Sequence, residues 1–270
     1  VLFRSPDLAR AEVETIAWTH RKSATEEIYF LANQKEEKRE LNVSFRTLSK
    51  YIELYNPVLD KTTLISDWRV ENGRTIIPLS FEANESCFII FKNETQEKPT
   101  GKKRIGVNFE TVKVLDGNWS LQFDSNFKGP KEVVKTNALF DWSLAKDDSI
   151  KYYSGTVIYT KEFQWNESLN QNTWLELGQI ENIAEVSLNG EDCGTIWTYP
   201  HRVAISNQLK KGKNKLVIKI TNTWANRLIG DQKLPKEERV TWTTAPFRLE
   251  KDTLLPAGLL GPVQIINEKK

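Results

Sequence analysis

The chain has 270 residues, of which 39% are hydrophobic and 10% aromatic, and this composition is typical of one large or two ordinary globular domains. Its 38 Lys and Arg nearly balance its 36 Asp and Glu, so we expect no strongly one-signed surface and no nucleic-acid partner. No apolar run approaches the roughly 18 residues that a membrane-spanning helix needs, and a membrane partner is not expected either.

Residues 1–5, VLFRS, resemble one reading frame of a common DNA-sequencing adapter. The chain also contains no Met. We therefore leave these five residues out of the fold prediction and expect the gene to continue upstream.

Apolar residues in the first half recur with a period of two, which predicts half-buried strands rather than helices. Strands are predicted at 28–32, 41–45 and 87–91. Two further strands flank Asn72-Gly73, a pair that accepts the positive φ of a tight hairpin. Short strands at this spacing predict a β-sandwich, which we bound at residues 6–95.

A polar segment at 93–104, NETQEKPTGKKR, predicts a linker, because it has too little apolar surface to offset the entropy of ordering it. The alternating pattern then returns and predicts a second sandwich at residues 105–268. Its predicted strands lie at 119–123, 156–163, 184–188, 193–197, 203–205, 216–220 and 261–266. Asn189-Gly190 is predicted to form the turn between the strands at 184–188 and 193–197. The predicted fold is all-β, with two β-sandwich domains.

Nine Trp is a high number for a chain of this length. Two uses of them are compatible with an all-β protein. Trp side chains fill sandwich cores, or they stand on the surface as platforms on which the C–H faces of sugar rings pack.

The patterns of common catalytic and metal sites are missing from the sequence. His20 and His201 are the only histidines, and no G-x-S-x-G motif, zinc-ligand spacing, P-loop or dinucleotide fingerprint occurs. A pair of glycosidase carboxylates cannot be chosen among 36 acidic residues, and no strand–helix alternation predicts a (β/α)₈ barrel. We assign no catalytic residue and no metal ligand. Whether the chain binds a structural calcium ion cannot be read from the sequence.

The segment 224–232, WANRLIGDQ, carries the residue types of a sugar-binding loop. Amides, a guanidinium and a carboxylate match adjacent hydroxyl groups, and an aromatic face packs on a sugar ring. The residues concerned are Trp224, Asn226, Arg227, Asp231 and Gln232. Arg227 and Asp231 could equally pair with each other beneath Trp242 and hold the loop in place, so binding and structural roles stay open at this point.

Longer motifs in the second half form a recognisable set. They are DW at 141–142, IKYYSG at 150–155 with Tyr159, NIAEVSLNG at 182–190, WTYPHR at 197–202, NRLIGDQ at 226–232, RVTWT at 239–243 and GLLGP at 258–262. From Trp119 onward the chain resembles the C-terminal region of bacterial glycoside hydrolase family 106, the α-L-rhamnosidases. The portion 186–266 is similar more broadly to the galactose-binding-like jelly roll of family 2 glycosidases.

The first half is similar to the β-domain that precedes this region in family 106. The residues that carry this weaker resemblance are WTHR at 18–21, IYF at 28–30 with Asn33, and YNP at 55–57. The resemblance therefore covers nearly the whole chain after the suspected adapter.

The resemblance implies an accessory, sugar-binding portion of an α-L-rhamnosidase that acts on plant or bacterial polysaccharide. The catalytic acids would lie in an upstream barrel of the same polypeptide, so this chain alone is expected to be inactive. Periplasmic or extracellular location and a carbohydrate partner are implied as well. The substrate-binding candidates are Trp224, Asn226, Arg227, Asp231, Gln232, Trp197, His201 and Arg202. In family 2 relatives an Asp and an Asn of the jelly roll reach the edge of the active site, and Asp231 and Asn226 occupy a comparable segment here.

Two other hypotheses remain beside the accessory portion of a rhamnosidase. A free-standing carbohydrate-binding module would lose its ligand on Trp224→Ala or Arg227→Ala. A purely structural interface domain would instead expose an apolar patch of several hundred Å² when isolated.

Overall fold

The structure, a computed structural model, describes residues 15–49, 51–93, 109–244 and 253–269. The suspected adapter and all but the first residue of the predicted linker lie outside these ranges. The described residues form two compact units. The first consists of the described residues up to Asn93 together with Thr198–Pro200, and the second of Phe109–Trp197 and the described residues from His201 onward.

The first unit contains eight strands in two antiparallel sheets. The strands are β1 Ile16–Lys22, β2 Glu26–Asn33, β3 Arg39–Phe45, β4 Tyr51–Asn56, β5 Lys61–Leu64, β6 Arg69–Glu71, β7 Arg74–Phe81 and β8 Ser86–Lys92. One sheet has the order β1-β2-β8-β4-β5 and the other the order β3-β7-β6. Inward side chains of both sheets, such as Tyr29 and Phe91 from one and Phe45 and Ile77 from the other, share one core.

The second unit contains twelve strands and two helices. They are β9 Phe109–Val114, β10 Trp119–Gln122, β11 Val134–Thr136, α1 Asp148–Lys151, β12 Thr156–Trp165, β13 Thr173–Glu176, β14 Gln179–Glu181, β15 Ile183–Leu188, β16 Glu191–Ile196, β17 Arg202–Ala204, β18 Gly212–Thr221, α2 Ala225–Gln232, β19 Gly258–Gly261 and β20 Gln264–Glu268. A six-stranded sheet has the order β11-β10-β12-β18-β15-β16, and a four-stranded sheet the order β17-β13-β20-β9. Strands β14 and β19 pair separately.

The period-two pattern places alternate side chains in the cores, as the sequence predicts. In β18, Leu216, Ile218 and Ile220 are buried, whereas Lys215 before them and Lys219 between the last two are exposed. The all-β prediction is therefore confirmed, and the described residues hold only two short α-helices besides single 3₁₀ turns.

The two predicted Asn-Gly turns are confirmed. Asn72 and Gly73 have φ values of 51° and 72°, and they join β6 to β7. Asn189 and Gly190, with φ values of 58° and 90°, join β15 to β16. Positive φ at both positions is what a two-residue hairpin requires, because that turn matches the twist of its strands.

The core of the second unit is built around large aromatic side chains. Trp119, Trp142 and Trp165 are fully buried, together with Tyr153 and Tyr159. These residues and aliphatic side chains of both large sheets form one continuous cluster. Three of the nine Trp are therefore fully buried in this core, and Trp18 and Trp68 pack against the core of the first unit.

The predicted closing strand at 261–266 is wrong, because the structure has two strands there in different sheets. Strand β19 ends at Gly261 and pairs with β14, whereas β20 begins at Gln264 and pairs with β13 and β9. Pro262 separates them. A proline has no N–H to give to a sheet ladder, so an apolar run that contains one does not continue as a central strand.

The predicted loop at 224–232 is also wrong, because residues Ala225–Gln232 form the helix α2. Asn, Gly and Asp are poor helix formers, and the helical pattern in the sequence is correspondingly weak. Tertiary contacts fix the helix instead. A Cβ on Gly230 would lie 2.7 Å from the side chain of Tyr152, so the helix approaches its neighbour more closely than any larger residue allows.

Within the ranges that the structure describes, none of the helices has the length and apolar character needed to cross a membrane.

Candidate functional site

Helix α2 carries a buried ion pair along one of its turns. Arg227 Nε and Asp231 Oδ1 lie 3.0 Å apart at an i,i+4 spacing. The two residues are 4% and 1% exposed. The two atoms have no hydrogen-bond partner of suitable geometry among the described residues, so their contact is ionic rather than an aligned hydrogen bond. This buried pairing favours the structural role of the two that the sequence leaves open for Arg227 and Asp231.

The second carboxylate oxygen of Asp231 binds the chain that follows α2. Asp231 Oδ2 accepts hydrogen bonds from Val240 N at 3.0 Å, from Thr241 N at 2.8 Å and from Thr241 Oγ1 at 2.7 Å. Hydrogen bonds to a charged acceptor are stronger than neutral ones. Asp231 thus fixes residues 240–241 against the helix.

Asn226 is buried and bonded to the backbone. Its Nδ2 donates to Leu255 O at 2.7 Å, and its Oδ1 accepts from Leu255 N at 2.8 Å. The side chain is 2% exposed. It pairs with Leu255 as a neighbouring strand would, and so connects α2 to the segment that leads into β19.

A cleft of about 460 Å³ lies between the C-terminal half of α2 and residues 236–243. Its lining combines apolar, amide, hydroxyl and cationic side chains. The lining residues are Leu228, Asp231, Gln232, Lys236, Arg239, Val240, Thr241, Trp242 and Thr243. Trp242 is 83% exposed. A concave surface with an exposed indole and several polar groups has the composition of a sugar-binding site.

Arg239 is held in place at one wall of this cleft. Its Nε donates to Leu234 O at 2.9 Å, and its Nη2 donates to Gln232 O at 3.3 Å. Carbonyl groups at the C-terminal end of a helix carry partial negative charge, so a cation is favourable there. The two bonds orient the guanidinium while the residue as a whole stays exposed.

Trp224 stands at the other end of α2. It precedes the first helical residue, is 45% exposed and meets the ring of Phe127 edge-on, with ring centroids 5.2 Å apart. It does not belong to the cleft lining among the described residues. Trp224 and Phe127 form a separate, partly exposed aromatic pair.

The three remaining candidates lie around β16 and β17. Trp197 follows β16 and is 65% exposed. His201 is buried, and its Nδ1 donates a hydrogen bond to Gly178 O at 2.8 Å, because a carbonyl oxygen can only accept. Burial lowers the pKa of His201, and the Gly178 carbonyl and Glu181 oppose this shift in part. The Arg202 guanidinium lies 4.1 Å from the centre of the Phe109 ring.

The structure therefore divides the predicted substrate-binding set. Asp231 and Gln232 line the cleft, whereas Asn226 and Arg227 are buried and are not among the described lining residues. Trp224, Trp197, His201 and Arg202 are not among the described lining residues. The predicted loss of binding on Arg227→Ala does not separate the hypotheses, since removing this buried cation disturbs the fold itself.

Sequence reasoning missed the residues that give the cleft its character, Lys236, Arg239 and Trp242. The motif RVTWT at 239–243 was part of the resemblance, and Trp242 was considered only as a cover for the Arg227–Asp231 pair. The available signal was that Trp242 lies between two threonines. Threonine is mostly exposed in folded proteins, so an indole flanked by two of them is a candidate for the surface.

No group of three or more His, Cys, Asp and Glu side chains that could hold a metal ion occurs within 15–49, 51–93, 109–244 and 253–269.

Comparison with known proteins connects this unit to glycoside hydrolases. Residues 130–251 match the family described as glycosyl hydrolase 2 galactose-binding domain-like. Among solved structures, a rhamnosidase from Novosphingobium sp. PP1Y is similar over 97% of this chain and 25% of its own, with 33% identity and a TM-score of 0.80. A protein of Formosa agariphila named "Putative beta-glucuronidase" is 38% identical over 178 residues, which cover 56% of this chain and 15% of that protein.

The second unit is thus a galactose-binding-like, glycoside hydrolase-associated sugar-binding domain. The family match begins in the β10–β11 connection and includes the whole of α2 and the cleft residues. The chain spans a quarter of the length of the similar rhamnosidase and 15% of the glucuronidase-named protein.

Proposed function

We propose that this chain is the non-catalytic accessory portion of an α-L-rhamnosidase, and that the cleft beside α2 is its sugar-binding site. The catalytic acids would be supplied by an upstream barrel of the same polypeptide. The whole enzyme would act on rhamnose-containing polysaccharide in the periplasm or outside the cell.

One observation carries the assignment to a rhamnosidase. The similarity to the Novosphingobium rhamnosidase extends over 97% of the chain, at a TM-score of 0.80 and 33% identity, and so includes both units. The match to the glucuronidase-named protein covers 56% of the chain. A similarity that includes both units in one chain is the stronger guide to the parent protein.

The cleft rather than the Trp224 end of α2 is the part proposed to bind sugar. Trp242 offers an exposed indole face, and Gln232, Thr241 and Thr243 place amide and hydroxyl groups beside it. Sugar recognition needs an apolar platform and a few polar groups that distinguish hydroxyl orientations. Asp231 joins residues 240–241 of this concavity to α2 through three hydrogen bonds.

A structural role for the same helix is favoured by a separate observation. Asn226, Arg227 and Asp231 are all buried and bonded within the unit. We therefore assign these three to support of the cleft, while Gln232, Lys236, Arg239 and Trp242 form the surface that meets the ligand.

The purified chain is expected to bind a rhamnose-containing oligosaccharide without hydrolysing an α-L-rhamnoside. Calorimetric titration should give measurable binding that Trp242→Ala reduces at least about fivefold, since stacking of one ring contributes on the order of 1–3 kcal/mol in comparable aromatic contacts. Trp197→Ala is the matched control, because Trp197 is equally an exposed indole but lies outside the cleft lining.

A hydrolysis assay on the purified chain tests the proposal that it is non-catalytic. Release of nitrophenol from p-nitrophenyl α-L-rhamnopyranoside by the purified chain, above the rate of a heat-unfolded sample, would contradict it. Equal loss of oligosaccharide binding in Trp242→Ala and Trp197→Ala would contradict the location of the site.

A further inference from the structure

The cleft beside α2 has an uneven charge. Its lining contains one carboxylate, Asp231, and two cations, Lys236 and Arg239. Asp231 is already paired with Arg227 at 3.0 Å and accepts three further hydrogen bonds, so its charge is compensated from within the fold. The charges of Lys236 and Arg239 are left to face the cleft.

Neither cation is neutralised by the protein in the part of the chain that the structure describes. No ion pair within 4 Å joins Lys236 or Arg239 to an acidic side chain among those residues. Glu237 and Glu238 follow Lys236 in its 3₁₀ turn, but they are not among the lining residues. Arg239 instead donates to two carbonyl oxygens, which orient its guanidinium without removing its charge.

The two cations lie on the same stretch of chain as the aromatic platform. Lys236, Arg239 and Trp242 are spaced three residues apart, all three are exposed, and all three line one cleft. Sugar rings pack on an indole face whether they are neutral or charged, so Trp242 alone does not select between them. A carboxylate on the ring would add an ion pair or a charge-assisted hydrogen bond with these cations.

We propose that the cleft is selective for an acidic sugar, with the ring of a uronate residue on Trp242 and its carboxylate at Lys236 and Arg239. This inference rests on the proposed function of the cleft as a sugar-binding site. It adds the chemical class of the residue bound, an anionic sugar. In a rhamnose-containing polysaccharide, that residue would be a uronate next to the rhamnose.

The apolar part of the lining is consistent with the same ligand. Leu228 and Val240 are the aliphatic side chains of the lining, and aliphatic surface can pack on the C–H groups of a sugar ring. Two cations without an ion-pair partner among the described residues would contribute little to the binding of a neutral sugar, whereas an anionic sugar would be attracted by both.

The test compares two probes of nearly the same shape, one with a carboxylate and the other with a neutral carboxamide in its place. Sodium D-glucuronate and neutral D-glucuronamide share ring and hydroxyl groups, and each is titrated into the full chain while amide and indole shifts are followed by NMR. We expect glucuronate to bind about fivefold more tightly than the amide in low salt, a factor that corresponds to one solvent-exposed ion pair. The preference should shrink as ionic strength rises, because salt screens exposed charges.

Two variants assign the preference to the cleft. Lys236→Gln should abolish most of the difference in affinity between glucuronate and glucuronamide. Lys213→Gln is the control, since Lys213 is an exposed lysine paired with Glu162 on the sheet, and it should keep the full difference. Equal affinity for glucuronate and glucuronamide in the wild-type chain would overturn the inference, as would an unchanged preference in Lys236→Gln.

A parallel titration with a rhamnose-containing neutral oligosaccharide separates this inference from the proposed function. Binding of the neutral oligosaccharide without any preference for glucuronate would overturn the acidic-sugar inference and leave the sugar-binding cleft standing. Binding of none of the three probes would overturn both.

Discussion

Replacement of Asp231 by alanine is expected to lower the free energy of unfolding of the second unit by about 3–5 kcal/mol, the usual cost of removing one partner of a buried ion pair. The substitution leaves the Arg227 guanidinium, 4% exposed, without its carboxylate. It also removes the acceptor of three hydrogen bonds from Val240 and Thr241. Urea unfolding followed by circular dichroism measures the change.

An exposed ion pair of the same unit provides the control for Asp231→Ala. Lys219 Nζ and Glu185 Oε2 lie 3.2 Å apart, with both side chains about half exposed. Glu185→Ala should cost less than about 1 kcal/mol, because water screens such a pair. Similar costs for Asp231→Ala and Glu185→Ala would contradict the account of Asp231 as the buried support of the cleft.

The coupling within the buried pair can be isolated from other effects of substitution. Arg227→Gln, Asp231→Asn and the double variant form a cycle whose interaction free energy reports the pair itself. We expect the double variant to be less destabilised than the sum of the single ones, since it leaves no unpaired buried charge.

Trp142→Ala is expected to lower the free energy of unfolding by about 3–5 kcal/mol, as large aromatic deletions from well-packed cores do. Trp142 is fully buried, and its Nε1 donates to Tyr159 Oη at 2.7 Å. Tyr159 Oη also accepts from Leu259 N at 3.2 Å. The deletion would open a cavity and remove a donor where β12 and β19 are joined.

Trp242→Ala serves as the matched control, because it makes the same chemical change at a residue that is 83% exposed. We expect it to change the unfolding free energy by no more than about 0.5 kcal/mol. A large loss of stability in Trp242→Ala, or a small one in Trp142→Ala, would reverse the division of the tryptophans into core and ligand-facing residues.

Much of the fold could be predicted from the sequence. The strands and both Asn-Gly hairpins followed from local rules, because alternation decides which side chains of a strand are buried and positive φ decides which residues form the turn. Motifs that carried the family resemblance, such as DW at 141–142 and Tyr159, proved to be core contacts. These motifs therefore identify the fold through its core packing and do not by themselves identify a binding site.

The site was less predictable because its residues depend on distant partners. Asn226 is bonded to Leu255, 29 residues later, and Asp231 to Thr241, 10 residues later. Neither partner is visible in a local pattern, so the segment looked like a polar loop with outward side chains. With these long-range bonds the segment forms a helix in which Asn226, Arg227 and Asp231 are buried. Most of the exposed side chains that line the cleft therefore come from residues 236–243.

The central claim is that sugar binds at the cleft beside α2, and the indole N–H signals of the nine Trp test it most directly. The signals are resolved in a ¹H–¹⁵N spectrum, and Trp242→Phe identifies that of Trp242. On titration with a rhamnose-containing oligosaccharide, we predict that the Trp242 signal shifts with ligand concentration while the buried Trp119, Trp142 and Trp165 signals stay in place. A shift of the Trp224 or Trp197 signal with an unchanged Trp242 signal would contradict the account.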